Sequence, residues 1–169
     1  MKHLKTNMII GTLFVLILGT LSHFFYEWSN QNFFVGLVSP VNESTWEHMK
    51  LLFFPMLLYA LITIPRLGKS FPRITSSLLT GILLGTLLIP VLFYTYSGIL
   101  GRNILAFDIA VFAISVIAAF YASYRLTLSR KAQQYTPYLW IAVCIFIICF
   151  IVFTCNPPEI GLFTEPAQK

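Results

Sequence analysis

The chain has 169 residues, of which 57% are hydrophobic and 10% are charged, and its mean hydropathy is +0.80. Soluble domains carry about 25% charged residues, and a domain of this size could not bury so much apolar surface in one core. The composition excludes an ordinary water-soluble domain. The net charge of +5 does not indicate nucleic-acid binding, because the basic residues lie in short clusters between apolar segments.

Five apolar segments follow one another, each close to the roughly 20 residues that a helix needs to cross a hydrocarbon core. Their continuous apolar character favours helices over a β-barrel. We expect the first segment to be retained, because it is longer than a signal-peptide core and no cleavage pattern follows. The sequence predicts an all-α membrane protein, a five-transmembrane-helix bundle forming a single domain over 1–169, with spans near 8–26, 46–64, 75–95, 103–123 and 137–154.

The first span ends in His23 and Glu27, which are four residues apart and therefore share one helix face. A carboxylate near a helix C-terminus opposes the helix dipole. A positive partner is therefore expected, and Lys50, a protonated His23 or a metal ion would each serve. The alternative is an interfacial glutamate in water beside the aromatic residue Trp28.

The second span begins in the polar stretch "SPVNESTWEHMKLLFFP", residues 39–55. Ser44 and Glu47 match the capping box S/T-x-x-E, in which each side chain accepts from the other's backbone N–H, and Asn42 is a second candidate cap. Capping leaves the neighbouring Glu43 and His48 unexplained. Glu47 also lies three residues before Lys50, a spacing that predicts an ion pair at the surface.

The third span carries Ser77, Gly81 and Gly85 at a spacing of four. Small residues at this spacing let two helices approach closely, so they predict a packing face.

The fourth span contains Asp108, about two turns inside its predicted start. An ionised carboxylate facing lipid costs a few kcal/mol, so we expect Asp108 to point into the bundle and to belong to a functional site. A structural hydrogen bond to a tyrosine or serine of another helix is the alternative.

The distribution of charge predicts the topology. Eight of the eleven basic residues fall at the N-terminus and in the loops 65–74 and 124–136. Because short basic loops stay in the cytoplasm, we predict that the N-terminus is inside and the C-terminus outside. All six acidic residues and two of the three histidines then fall at or near the outer end.

We therefore predict an outward-facing cup formed by the ends of spans 1, 2 and 4. Imidazole and carboxylate groups suit a divalent metal such as zinc, a general acid–base pair or a proton relay. The spacing matches no standard zinc motif such as H-E-x-x-H. The candidate metal ligands are His23, Glu47, His48 and Asp108. The candidate cup residues are His23, Glu27, Asn42, Glu43, Glu47, His48 and Asp108.

Three segments carry a family resemblance: "HFFYEWS", "SPVNESTWEHMKLLFFP" and "PPEIGLF", together about a fifth of the chain. They resemble a family of small multi-pass membrane proteins of Gram-positive bacteria with the hallmark P-V-N-E-S-x-W-E-H-x-K and no assigned function. The resemblance implies a location in the bacterial plasma membrane. It implies no substrate, cofactor or catalytic role.

Three classes of function remain open, and whether the protein is an enzyme is undecided. The cup could bind or conduct a cation, a proton or a polar headgroup. It could instead serve a membrane-embedded hydrolase of lipid or envelope substrates, using a metal or acid–base catalysis. In the third class the protein is a structural or accessory subunit. The expected partners are the lipid bilayer and either a second copy or another membrane protein, with no nucleic acid.

Overall fold

The computed structural model describes residues 2–129 and 135–165, and within these ranges the regular structure is entirely helical. Five of the helices are long and apolar enough to cross a membrane, and the sixth is one short turn. This confirms the five helical segments expected from the sequence. The helices are α1 (Lys2–Trp28), α2 (Phe33–Gly36), α3 (Thr45–Leu67), α4 (Ile74–Leu100), α5 (Leu105–Leu128) and α6 (Thr136–Cys155).

Two helices extend beyond the expected spans. Helix α3 continues past residue 64 to Leu67, with Pro65 in its last turn. Gly98 lies inside α4, which continues to Leu100 and is ended by Gly101. Gly101 has a φ of 67°, the left-handed conformation that commonly closes helices because glycine adopts it without steric strain.

Helices α3 and α4 form the centre of the bundle. Helix α4 packs against α5 and α3, α1 packs against α3 and α5, and α6 lies mainly along α4. The predicted small-residue face on α4 is confirmed, since a Cβ added to Gly81 would lie 2.7 Å from the Ala119 carbonyl oxygen of α5. Exposed leucines, isoleucines and phenylalanines cover the outside of the bundle, as expected for a surface facing lipid.

The end of the bundle where α3 begins is closed by two connecting segments. The chain after α6 returns across it, and the Trp46 backbone N–H donates to the Leu162 carbonyl at 3.0 Å. The rings of Trp46 and Phe163 lie 5.0 Å apart. The connection from α1 to α3 crosses the same end and carries α2. These contacts fix the residues around the start of α3, where the polar stretch lies.

Candidate metal centre

His23 lies one helical turn after Gly19, where α1 comes close to both α3 and α5. At Gly19, an added Cβ would lie 2.6 Å from Cζ of Phe112 on α5 and would also collide with the Leu51 carbonyl of α3. Only glycine allows this approach. His23 is consequently brought against the first turns of α3, and its ring centroid is 5.3 Å from that of His48 at an interplanar angle of 83°.

The start of α3 orients His48. Ser44 is the N-cap, and the Glu47 N–H donates to its Oγ at 3.4 Å. His48 Nδ1 lies 3.0 Å from the Ser44 carbonyl oxygen. A carbonyl only accepts hydrogen bonds, so Nδ1 is the donor in this contact, and in the neutral imidazole Nε2 is then the nitrogen that carries the lone pair. This backbone contact is the usual way in which a metal-binding histidine is held.

Glu43 completes a cluster of three potential ligands. Its Oε2 lies 3.4 Å from His48 Nε2 and 3.8 Å from His23 Nε2. The ligand atoms of the three residues all lie within 4.8 Å of one another. Tetrahedral zinc, with bonds of about 2.0–2.1 Å, holds its ligand atoms about 3.3 Å apart. The Glu43 side chain is 56% exposed and free to rotate toward the two half-buried histidines, which would narrow this difference.

The cluster opens onto a cavity of 510 Å³ between α1, α3, α4 and α5. Its walls are largely apolar, and among the described residues Asp108 is the carboxylate that lines it besides Glu43. Tyr96 donates a hydrogen bond to Asp108 Oδ1, and the Ile104 N–H donates to Tyr96 Oη at 3.4 Å. Asp108 therefore lies in the same cavity as the cluster and makes the tyrosine contact that was the structural alternative.

The depth expected for Asp108 is wrong. It lies in the first turn of α5 and not two turns inside the helix, because the chain is extended at Ile104 and α5 begins at Leu105. A carboxylate in the first turn is stabilised by the helix dipole. This position lowers the electrostatic cost of keeping the carboxylate charged near the membrane.

Four of the seven cup residues share the cavity: His23, Glu43, His48 and Asp108. The other three lie elsewhere. Glu27 is exposed on the last turn of α1 and does not line the cavity. Asn42 accepts from the Ser44 N–H at 2.9 Å and so shapes the turn before α3.

Glu47, a candidate metal ligand from the sequence, lies outside the cluster found among the described residues, which contains Glu43 instead. The Glu47 carboxylate accepts from the Val41 N–H at 3.0 Å, so the predicted return bond to the Ser44 N–H is also wrong. Its Oε2 lies 2.6 Å from Lys50 Nζ. This pair was expected at the surface, but the two side chains are 3% and 0% exposed.

The Lys50 ammonium joins three parts of the chain. Besides Glu47, it donates to the Gly36 carbonyl at 2.9 Å and to Thr154 Oγ1 on α6 at 2.6 Å. Thr154 in turn donates to Glu47 Oε1 at 2.9 Å. The α1–α3 connection, which carries Glu43, is thus anchored by a buried ion pair. The helix dipole disfavours a lysine in the first turns of a helix, so the position of Lys50 in the sequence indicated that it has an anionic partner. Nothing in the sequence indicated that Thr154 contacts this pair.

In the described part of the chain, five membrane-length helices and a histidine–carboxylate cluster beside a cavity are compatible with a multi-pass membrane protein that has a polar site. The chain belongs to DUF6512, a family of unknown function whose match covers residues 1–168. This agrees with the membership of an uncharacterised family expected from the three segments. Neither the curated proteins nor the solved structures contain a match to the chain.

Proposed function

We propose that the chain is a multi-pass protein of a bacterial plasma membrane that binds a divalent transition metal, such as zinc, through His23, Glu43 and His48. The observation that carries the proposal is the convergence of three ligand atoms within 4.8 Å from α1, α3 and the segment between them. Two imidazoles and one carboxylate form a ligand set typical of zinc. A proton relay would not need three groups to converge on one point.

Metal analysis of the purified protein tests the proposal. The wild-type protein, prepared in detergent with a histidine-free affinity tag, is expected to hold stoichiometric zinc by mass spectrometry. His48→Ala, His23→Ala and Glu43→Gln should each weaken zinc binding by more than about 100-fold, the largest loss usual for a residue that only orients a ligand. Direct ligands are expected to matter more than the residues that orient them.

His3→Ala and Glu27→Gln are matched controls, because they remove one imidazole and one carboxylate that do not line the cavity. Both should keep the zinc affinity of the wild type. Wild-type protein that takes up no zinc, or a His48→Ala protein with undiminished affinity, would rule out this site.

The proposed orientation places the N-terminus in the cytoplasm and the metal centre at the outer face. It rests on the basic loops, because positively charged short loops are retained inside. The resemblance to proteins of Gram-positive bacteria supports the plasma membrane as the location. A second copy or another membrane protein as partner stays a prediction.

Cysteine labelling in intact cells tests this orientation. Cys144 and Cys155 are exposed, so all three native cysteines are first replaced by serine. Single cysteines at Ser70 and Ser129 are expected to resist a membrane-impermeant maleimide, and those at Asn32 and Gln168 to react. Labelling of Ser129→Cys from outside, at the rate of Asn32→Cys, would reverse the topology and place the metal centre at the inner face.

A further inference from the structure

We propose that the metal centre is catalytic and hydrolyses a carboxylic ester bond of a single-chain membrane amphiphile, with Asp108 as the general base. The inference rests on the proposed metal binding and deepens it by naming a reaction and a substrate class.

Three protein ligands leave one position open on a tetrahedral ion. Structural zinc sites use four protein ligands, whereas catalytic sites use three, and two histidines with one glutamate are one of the recurring catalytic sets. His23, Glu43 and His48 all line the wall of the cavity. The open position therefore faces the cavity, where a water molecule bound to the metal would meet a substrate.

Asp108 lies across the cavity at the level of His23. Gly19 of α1 contacts Phe112 of α5, and the two helices run in opposite directions, because α5 begins at the end of the bundle where α1 finishes. His23 follows Gly19 by four residues, and Asp108 precedes Phe112 by four residues. Each is therefore about one helical turn from this contact, toward the same end of the bundle. Tyr96 holds one oxygen of Asp108. The other oxygen is available to a metal-bound water.

The cavity fits the acyl chain of an amphiphile. Its volume of 510 Å³ lies within the range of about 300–1,000 Å³ that is usual for ligand pockets. Leu51, Ile89 and Phe112 are among its apolar walls. Leu105 and Ile109, which also line the cavity, are 75% and 60% exposed, so apolar side chains connect it to the surface of α5. An acyl chain would enter along these side chains.

The charge of the site favours a neutral carbonyl over a phosphate. A divalent ion together with the Glu43 and Asp108 carboxylates has no net charge. Among the described residues, the lining of the cavity includes no lysine and no arginine. Sites that transfer phosphoryl groups stabilise the added negative charge with such cations. An ester carbonyl needs only the metal, which polarises its oxygen.

The reaction balances without any further reactant. Asp108 takes a proton from the metal-bound water, and the resulting hydroxide forms a C–O bond to the acyl carbon. The bond from that carbon to the alcohol oxygen then breaks, and Asp108 returns the proton to the leaving alkoxide. The products are a carboxylic acid and an alcohol. Tyr96 acts as a positioning residue, because it contacts Asp108 and not the substrate.

Hydrolysis of p-nitrophenyl octanoate and p-nitrophenyl acetate by zinc-loaded protein in lipid nanodiscs tests the inference. The octanoate is expected to have the higher kcat/KM, since only its chain fills the cavity. Asp108→Asn should keep its zinc and lose about 10²–10⁴-fold in kcat, the usual contribution of a general base. Glu27→Gln, which changes a carboxylate outside the cavity, should match the wild type in both respects.

A second readout does not depend on turnover. Octanohydroxamic acid, which chelates metals and carries an acyl chain, should shift the absorption bands of the cobalt-substituted protein. The shift is expected in Asp108→Asn and absent in His48→Ala. If the zinc-loaded wild-type protein hydrolysed neither ester and the cobalt-substituted wild-type protein showed no shift, the catalytic inference would be overturned and metal binding would stand. Full activity in Asp108→Asn would overturn the role of Asp108. Wild-type protein without zinc would overturn both proposals.

Discussion

Replacing Lys50 by methionine is expected to lower the free energy of unfolding by about 3–5 kcal/mol, the loss typical when one partner of a buried ion pair is removed. Lys50 is 0% exposed, and its ammonium is the cation that contacts the Glu47 carboxylate. Methionine has a similar length and helix propensity, so the change removes the charge with little change in volume. Unfolding is measured by titrating the purified protein with a denaturing detergent.

A double replacement separates the charge from the packing. Glu47→Gln combined with Lys50→Met leaves no unpaired charge and should recover a large part of the loss. Lys69→Met is the control, because Lys69 is exposed in the loop between α3 and α4. A Lys50→Met protein as stable as Lys69→Met would contradict the structural role of the pair.

The same substitution should weaken zinc binding, although Lys50 does not line the cavity. Lys50 donates to the Gly36 carbonyl, and Glu47 accepts from the Val41 N–H, so the pair holds the segment that ends at Glu43. Loss of this anchor would let Glu43 move away from the two histidines.

Gly81→Ala is expected to destabilise the protein by about 1–3 kcal/mol, as overpacking does in a close-packed interior. The added Cβ would lie 2.7 Å from the backbone carbonyl of Ala119 and would also meet the Ser123 hydroxyl. A backbone oxygen cannot rotate away, so α4 and α5 would have to separate. The loss is measured by the same detergent titration.

Gly98→Ala is the matched control, because it makes the same change in the same helix where no atom lies within 4 Å of the new Cβ. There the stability should be unchanged or rise by up to about 1 kcal/mol, since alanine has the higher helix propensity. Equal effects at the two positions would mean that α4 and α5 are not held by close packing at Gly81.

The positions of the helices could be predicted from the sequence because a membrane-length helix requires a long, uninterrupted apolar segment. The start of α3 could also be predicted, since Ser44 caps it through a local contact. The beginning of α5 could not. Asp108 lies near an end of the helix because Ile104 is extended, and Ile104 is as apolar as Leu105, so hydropathy does not mark the step from loop to helix.

The choice between Glu43 and Glu47 shows why the site could be predicted only in part. Glu47 and His48 are adjacent on a helix, so their side chains point about 100° apart. When His48 faces α1, Glu47 faces the buried Lys50. Both glutamates lie near His48 in the sequence. Which side of α3 faces α1, however, depends on how the whole bundle packs.

The sequence by itself determined the five apolar helices, the cap of α3 and the concentration of acidic and imidazole groups in a few short segments. These follow from local chemistry, namely segment length, hydropathy and spacing along one helix. Only the tertiary structure decided that His23 meets His48 and Glu43, that Tyr96 binds Asp108, and that Thr154 completes the contacts of Lys50 from 104 residues away. Such contacts depend on close approaches like that at Gly19, which are set by the shapes of several helices together and leave no pattern along the chain.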